Sequence, residues 1–109
     1  MSKQIRRLYV SGSFCLDPEQ RLLSYEGQPV LMAPKVFKTL LLLVEQSGRI
    51  VEKDEMMNVL WPDRYVEEAN LTQNIFTLRK LLGEGQSREQ YIETIPKRGY
   101  RFVAPSKRF

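Results

Sequence analysis

"ANLTQNIFTLRKLL", residues 69–82, is the stretch on which the fold turns. Leu71, Ile75, Leu78 and Leu82 fall four, three and four residues apart. That is one narrow sector of a helix, and it must face a core. The opposite side carries Ala69, Thr72, Gln73, Phe76, Thr77 and Lys80, with no acid anywhere in the segment. Small hydroxyls, one amide, an outward ring and a cation make an unusual surface for plain solvent exposure. Gln can pair two-pronged with adenine, Thr can reach a base edge, and an aromatic ring can pack on the thymine methyl. A helix of this length measures about 21 Å, and its width fits a DNA major groove. Arg79 lies on the flank, where a long cationic side chain reaches a phosphate. The bland alternative is a merely soluble helix with Phe76 tucked under a loop.

Downstream, "IETIPKRGYRF", residues 92–102, sets two runs of β-branched and aromatic residues around a Pro-Lys-Arg-Gly turn. The pattern predicts a hairpin with strands near 91–95 and 100–103. Gly99 permits the turn, and Pro96 removes a donor and stiffens the approach. Turn geometry does not require Lys97 and Arg98. Beside a groove-bound helix, such a tip meets the neighbouring minor groove or its phosphates, whose negative potential attracts cations. Arg101 is a further phosphate candidate, and Thr94, at a strand end beside the tip, is a backbone candidate. The competing reading of the two cations is solubility and edge protection.

Upstream, Leu8, Val10, Phe14 and Leu16 share one parity in "LYVSGSFCL", the period of a half-buried strand. Turns at Asp17-Pro18 and Glu26-Gly27 separate it from "RLLSY" and "QPVLM". "APKVFKTLLLLVEQSGR" reads as the central core helix: Pro34 suits its first turn, Val36, Phe37, Leu40, Leu41 and Val44 face inward, and Gly48 stops it. A short "RIV" leads into a second helix near 53–60 with Met56, Val59 and Leu60 inside, and Pro62 ends it. Trp61 at that end reads as a core anchor, followed by a polar loop. The third helix stops at "GEG", whose glycines follow a helix rather than open one and so make no phosphate-binding fingerprint. "APSKRF" reads as the start of a linker or a chain end.

Composition bounds the chemistry. The 109 residues carry no His and one Cys. Histidine-based acid–base chemistry, His-assisted nucleophiles and His-containing metal sites are therefore absent, and so is an internal disulfide. Neither an enzyme nor a cofactor is expected. No apolar run is long enough to span a membrane, and the opening residues lack a signal-peptide core. The expected location is cytoplasmic, including the cytoplasmic part of a longer membrane-anchored regulator. The net charge of +4 is uneven: residues 15–68 hold six Lys/Arg against ten Asp/Glu, whereas residues 69–109 hold eight against three. The C-terminal end thus favours a polyanion.

The order of strands, three helices and hairpin resembles the winged-helix DNA-binding domain of OmpR/PhoB-type transcriptional regulators. The likeness rests on "VLMAPKVFKTLLLLVEQSGRIVEKDEMMNVLWP", "LTQNIFTLRKLLGE" and "YIETIPKRGYRF". It is distinctive over residues 30–103 and compatible through residues 8–29. It implies an α+β winged helix-turn-helix: an N-terminal antiparallel sheet (four strands, about 8–32), three helices (about 34–82) and a wing (about 91–103), in one domain over 1–109. It further implies that the third helix reads DNA while the wing touches the minor groove or backbone. With Met1 leading almost directly into the first strand, the arrangement looks more like the CadC/ToxR-like members, with a sensor, membrane helix or repeat region following. Relatives often bind tandem sites head to tail and can contact RNA polymerase through the loop at 62–67. Many carry Arg where Phe76 and Thr77 stand here, so base preference is not transferable. Glu52 stands where a Ser helix cap is frequent. The expected partner is double-stranded DNA, bound in a sequence-specific manner for transcriptional regulation. The alternatives are a winged helix that binds protein and a non-specific nucleic-acid binder.

Overall fold

A computed structural model describes residues 8–83, 90–103 and 107–108. Residues 1–7, 84–89 (with Glu84 and Gly85 of the expected helix stop), 104–106 and 109 lie outside the described residues. The chain begins with β1 (Tyr9–Ser11), β2 (Phe14–Asp17), β3 (Leu22–Tyr25) and β4 (Gln28–Val30). The stretch expected as one strand over 8–16 is therefore a hairpin, with Ser11 opposite Phe14 and Gly12 at φ +58°. A two-residue turn reverses the parity rule, because residues paired across strands share a face. Tyr9 pairs with Leu16 and packs on the core, while Val10 pairs with Cys15 on the other face. The β3–β4 turn places both Glu26 and Gly27 at positive φ, the requirement of a type I′ hairpin.

Three helices follow: α1 (Pro34–Glu45), α2 (Lys53–Leu60) and α3 (Glu68–Leu81). Helix α1 buries Val36, Phe37, Leu40, Leu43 and Val44. Leu41, expected inward, is half-buried, and Leu43 takes the fully buried place. In α2, Met56 and Leu60 are buried one turn apart, but Val59 remains 40% exposed, contrary to expectation. The inner stripe of so short a helix is one residue wide, and Val59 falls on its flank. Helix α3 buries Leu71, Ile75 and Leu78, and Leu82, its C-cap residue, is buried too.

Polar bonds tie the helices to one another. Buried Thr39 donates to the Lys35 carbonyl at 2.7 Å and accepts from the Asn74 amide at 3.2 Å, tying α3 to α1. The Lys35 ammonium donates to the Leu60 carbonyl at the C-terminus of α2, where a cation suits the helix dipole.

The strand β5 (Val51–Glu52) precedes α2, and β6 (Ile92–Ile95) and β7 (Gly99–Phe102) form the late hairpin. Among the described residues these make a three-stranded sheet in the order β5-β7-β6. A further strand, β8 (Lys107–Arg108), pairs antiparallel with β1, so the first sheet has five strands in the order β4-β3-β2-β1-β8. The segment expected as a linker thus supplies an edge strand. Its backbone satisfies donors and acceptors that β1 would otherwise expose. Phe14, Leu40, Met56, Leu71, Ile92 and Phe102 belong to one core that joins sheet, helices and hairpin. Tyr91 links the two sheets by an edge-on contact with Phe14 (centroids 5.6 Å apart) and a tilted contact with Phe102 (6.4 Å).

Candidate nucleic-acid interface

With Leu71, Ile75 and Leu78 fixing its inner side, α3 turns Ala69, Thr72, Gln73, Phe76 and Lys80 outward as exposed residues. Thr77 is half-buried. The polar contacts on this side are local and long: Thr72 Oγ1 to the Glu68 carbonyl and Gln73 Nε2 to Thr77 Oγ1, each at 3.5 Å. Bonds at that distance are weak, so these groups exchange partners at little cost. Phe76 is 53% exposed, and no loop among the described residues covers it. Lys80 Nζ sits 4.6 Å from the Phe76 ring centroid, a cation–π contact that lays the ammonium across an apolar surface. Glu68, in the first turn, pairs with Lys53 at 3.3 Å, which draws that carboxylate toward α2.

The hairpin tip is a four-residue turn closed by Arg98 N–H donating to the Ile95 carbonyl at 3.0 Å. Pro96 is its second residue and Lys97, at φ +65°, its third, the features of a type II turn. Lys97, not Gly99, therefore takes the left-handed position. Gly99 lies within β7 and serves another need: a Cβ there would stand 2.0 Å from the Val51 carbonyl oxygen. Its missing side chain lets β5, and with it the start of α2, approach the hairpin closely.

The arginines are engaged with the protein. Arg98 donates through Nε and Nη2 to one Glu52 carboxylate oxygen at 3.1 and 2.6 Å, and its carbonyl accepts from Lys53 N–H at 2.8 Å. Arg101 makes the same forked contact to Glu93, its cross-strand neighbour, at 2.9 and 2.5 Å. Arg79 Nη2 donates to the Ile92 carbonyl at 3.0 Å and to Thr94 Oγ1 at 2.7 Å, joining α3 to β6. Among the described residues no carboxylate forms an ion pair with exposed Lys97.

The structure thus gathers Thr72, Gln73, Phe76, Thr77 and Lys80 on α3, Lys97 and Arg98 at the tip, and Arg79 and Thr94 between them. Arg101 stands on β7, away from the turn. Sequence reasoning missed the two acids. The Glu93–Arg101 pair was open to it, since the residues lie symmetrically about the turn. The Glu52–Arg98 pair joins positions 46 apart and carries no local signal.

A helix-turn-helix core carrying a β-hairpin wing beside its last helix defines a winged-helix domain of the OmpR/PhoB type. The chain belongs to the family described as "Transcriptional regulatory protein, C terminal", which it matches over residues 27–102. It is 37% identical to the transcriptional regulator HilA of Salmonella typhi over 97 residues, covering 89% of this chain and 17% of that protein. It is 30% identical to the transcriptional activator CadC of Escherichia coli over 95 residues, covering 86% of this chain and 19% of that one. The solved DNA-binding domain of E. coli CadC superposes with a TM-score of 0.82 at 27% identity, over 99% of this chain and 100% of that one. The chain therefore spans under one fifth of the length of these curated relatives.

Proposed function

We propose that the chain binds double-stranded DNA in a sequence-specific manner as part of transcriptional control, with α3 in the major groove and the wing at the minor groove or backbone. Thr72, Gln73, Phe76, Thr77 and Lys80 make the base or groove contacts. Lys97 and Arg98 meet phosphates or the minor groove, with Arg79, Thr94 and Arg101 at the backbone or holding the wing. The observation that carries this reading is the outer side of α3, free of acids from Ala69 onward, where Phe76 and Gln73 stand exposed on a helix braced from behind. An exposed aromatic ring costs solvation unless something covers it, and a thymine methyl does so. Family membership supports the same reading.

Further parts of the proposal follow from the family. The unit is one winged helix that acts in the cytoplasm, as a piece of a longer regulator. No helix among the described residues is long and apolar enough to cross a membrane. Two copies sit head to tail on tandem sites. The loop 62–67 faces RNA polymerase, a role supported by Tyr65, which is 85% exposed.

Competition anisotropy against mixed duplex DNA tests the central statement. The expected outcome is binding that weakens with salt and prefers selected sites over mixed sequence. Salt-insensitive or absent binding would favour a protein-interaction module. Binding without preference would favour a non-specific nucleic-acid binder.

A further inference from the structure

We infer that Glu52 restrains DNA binding by competing with phosphate for Arg98, and so sets the affinity of the wing. This rests on the proposed wing contact. Glu52 is the last residue before α2, and it makes no side-chain cap for that helix. Its carboxylate is turned instead toward the wing, where one oxygen accepts both Nε and Nη2 of Arg98. The pairing is built into the backbone. Glu52 stands directly opposite Gly99 in the β5–β7 ladder, Lys53 N–H bonds the Arg98 carbonyl, and the absent Cβ at Gly99 lets the strands close. Both partners remain partly open to solvent, with side chains 56% and 45% exposed. An ion pair so exposed is weak and screened by salt, so a polyanion can take the arginine from it. Arg98 then offers a phosphate its Nε/Nη2 edge and an uncompensated charge only by leaving Glu52, while Lys97 at the same tip has no such competitor among the described residues. Two neighbouring cations thereby make unequal contributions to binding.

The chemistry is a partner exchange: one guanidinium leaves a carboxylate and meets a phosphate, and the carboxylate is rehydrated. Relieving the competition strengthens binding without creating a contact on any base. The gain is therefore sequence-independent and steepens the salt dependence, because a cation formerly neutralised by its own protein now displaces counterions.

The test is a double-mutant cycle on the 109-residue chain, read by anisotropy on a labelled duplex of mixed sequence across a salt series. Glu52→Gln is expected to tighten binding by about two- to fivefold at low salt, the range set by an exposed ion pair. It should also steepen the log–log salt slope by up to about one unit. In an Arg98→Ala background the same substitution is expected to do almost nothing. Four outcomes overturn the inference. A gain that persists in full without Arg98 would make Glu52 a general repulsive charge. A loss of affinity in Glu52→Gln would mean that the pair holds Arg98 in place for DNA. An Arg98→Ala substitution that leaves the affinity of the Glu52→Gln chain unchanged would remove the wing contact itself. Unchanged binding in Glu52→Gln alone, with Arg98→Ala still weakening it, would remove only the competition and leave the wing reading standing. Thermal unfolding of each variant separates these effects from loss of fold.

Discussion

Helix α3 and the wing lie side by side but are organised in opposite ways. On α3, function and structure are divided between two sides of one element: Leu71, Ile75 and Leu78 hold the fold, and Gln73 and Phe76 stand clear of it. In the wing the same residues serve both ends. Arg98, Arg101 and Thr94 are candidates for DNA contact and are also bonded to Glu52, Glu93 and Arg79. Outward side chains of α3 such as Gln73 and Phe76 are therefore open to substitution without structural penalty, whereas changes at Arg98, Arg101 and Thr94 alter stability and binding together.

The largest expected effect breaks the wing. Gly99→Ala drives a Cβ into the Val51 carbonyl oxygen, a backbone atom that yields only if β5 separates from β7. A loss of about 3 kcal/mol or more, as for other severe overpacking, should appear as a lowered midpoint in chemical denaturation. A loss below about 1 kcal/mol would mean that the two strands part easily.

On the helix, Gln73→Ala should leave the denaturation midpoint nearly unchanged. It should cost about 1–3 kcal/mol of discrimination at one matched base pair, measured by competition between a selected site and its single-base variants. Removing the hydroxyl that Arg79 bonds, by Thr94→Val, should cost about 0.5–1.5 kcal/mol of stability. It should also weaken binding to all sequences alike, as a loosened wing would.

Lys97→Gly sharpens the contrast most finely, because its two effects have opposite signs. Relieving a left-handed backbone at a non-glycine residue should raise stability by up to about 1 kcal/mol. Loss of the tip cation should flatten the salt slope of DNA binding by about one unit. Parallel changes in both would deny Lys97 its separate role at the groove.

How far the sequence alone was readable follows the same division. The inner stripe of α3 was legible because helical periodicity is local, and every residue assigned to it is buried. The wing hairpin was legible for the same reason, although the left-handed place in its turn falls to Lys97. Val59 was misplaced because an eight-residue helix gives periodicity too few turns to define a stripe. The first strands were misread because matching parity across Gly12 looks like continuity, although a two-residue turn exchanges the faces. Gly99 was given the turn because a glycine beside a Lys-Arg pair invites it. Only the approach of β5, 48 residues earlier in the chain, explains it. Likewise β8 depends on β1, at the far end of the sequence. For Gly99 and β8, what could not be read was a long-range neighbour.

Selection of binding sites from random duplexes, run in parallel with the unaltered chain and with Gln73→Ala, bears most directly on the claim that the outward side of α3 recognises base edges. The expected result is a defined motif for the first and, for the second, the same motif relaxed at one position. Identical motifs from both proteins, or no motif from either, would contradict it.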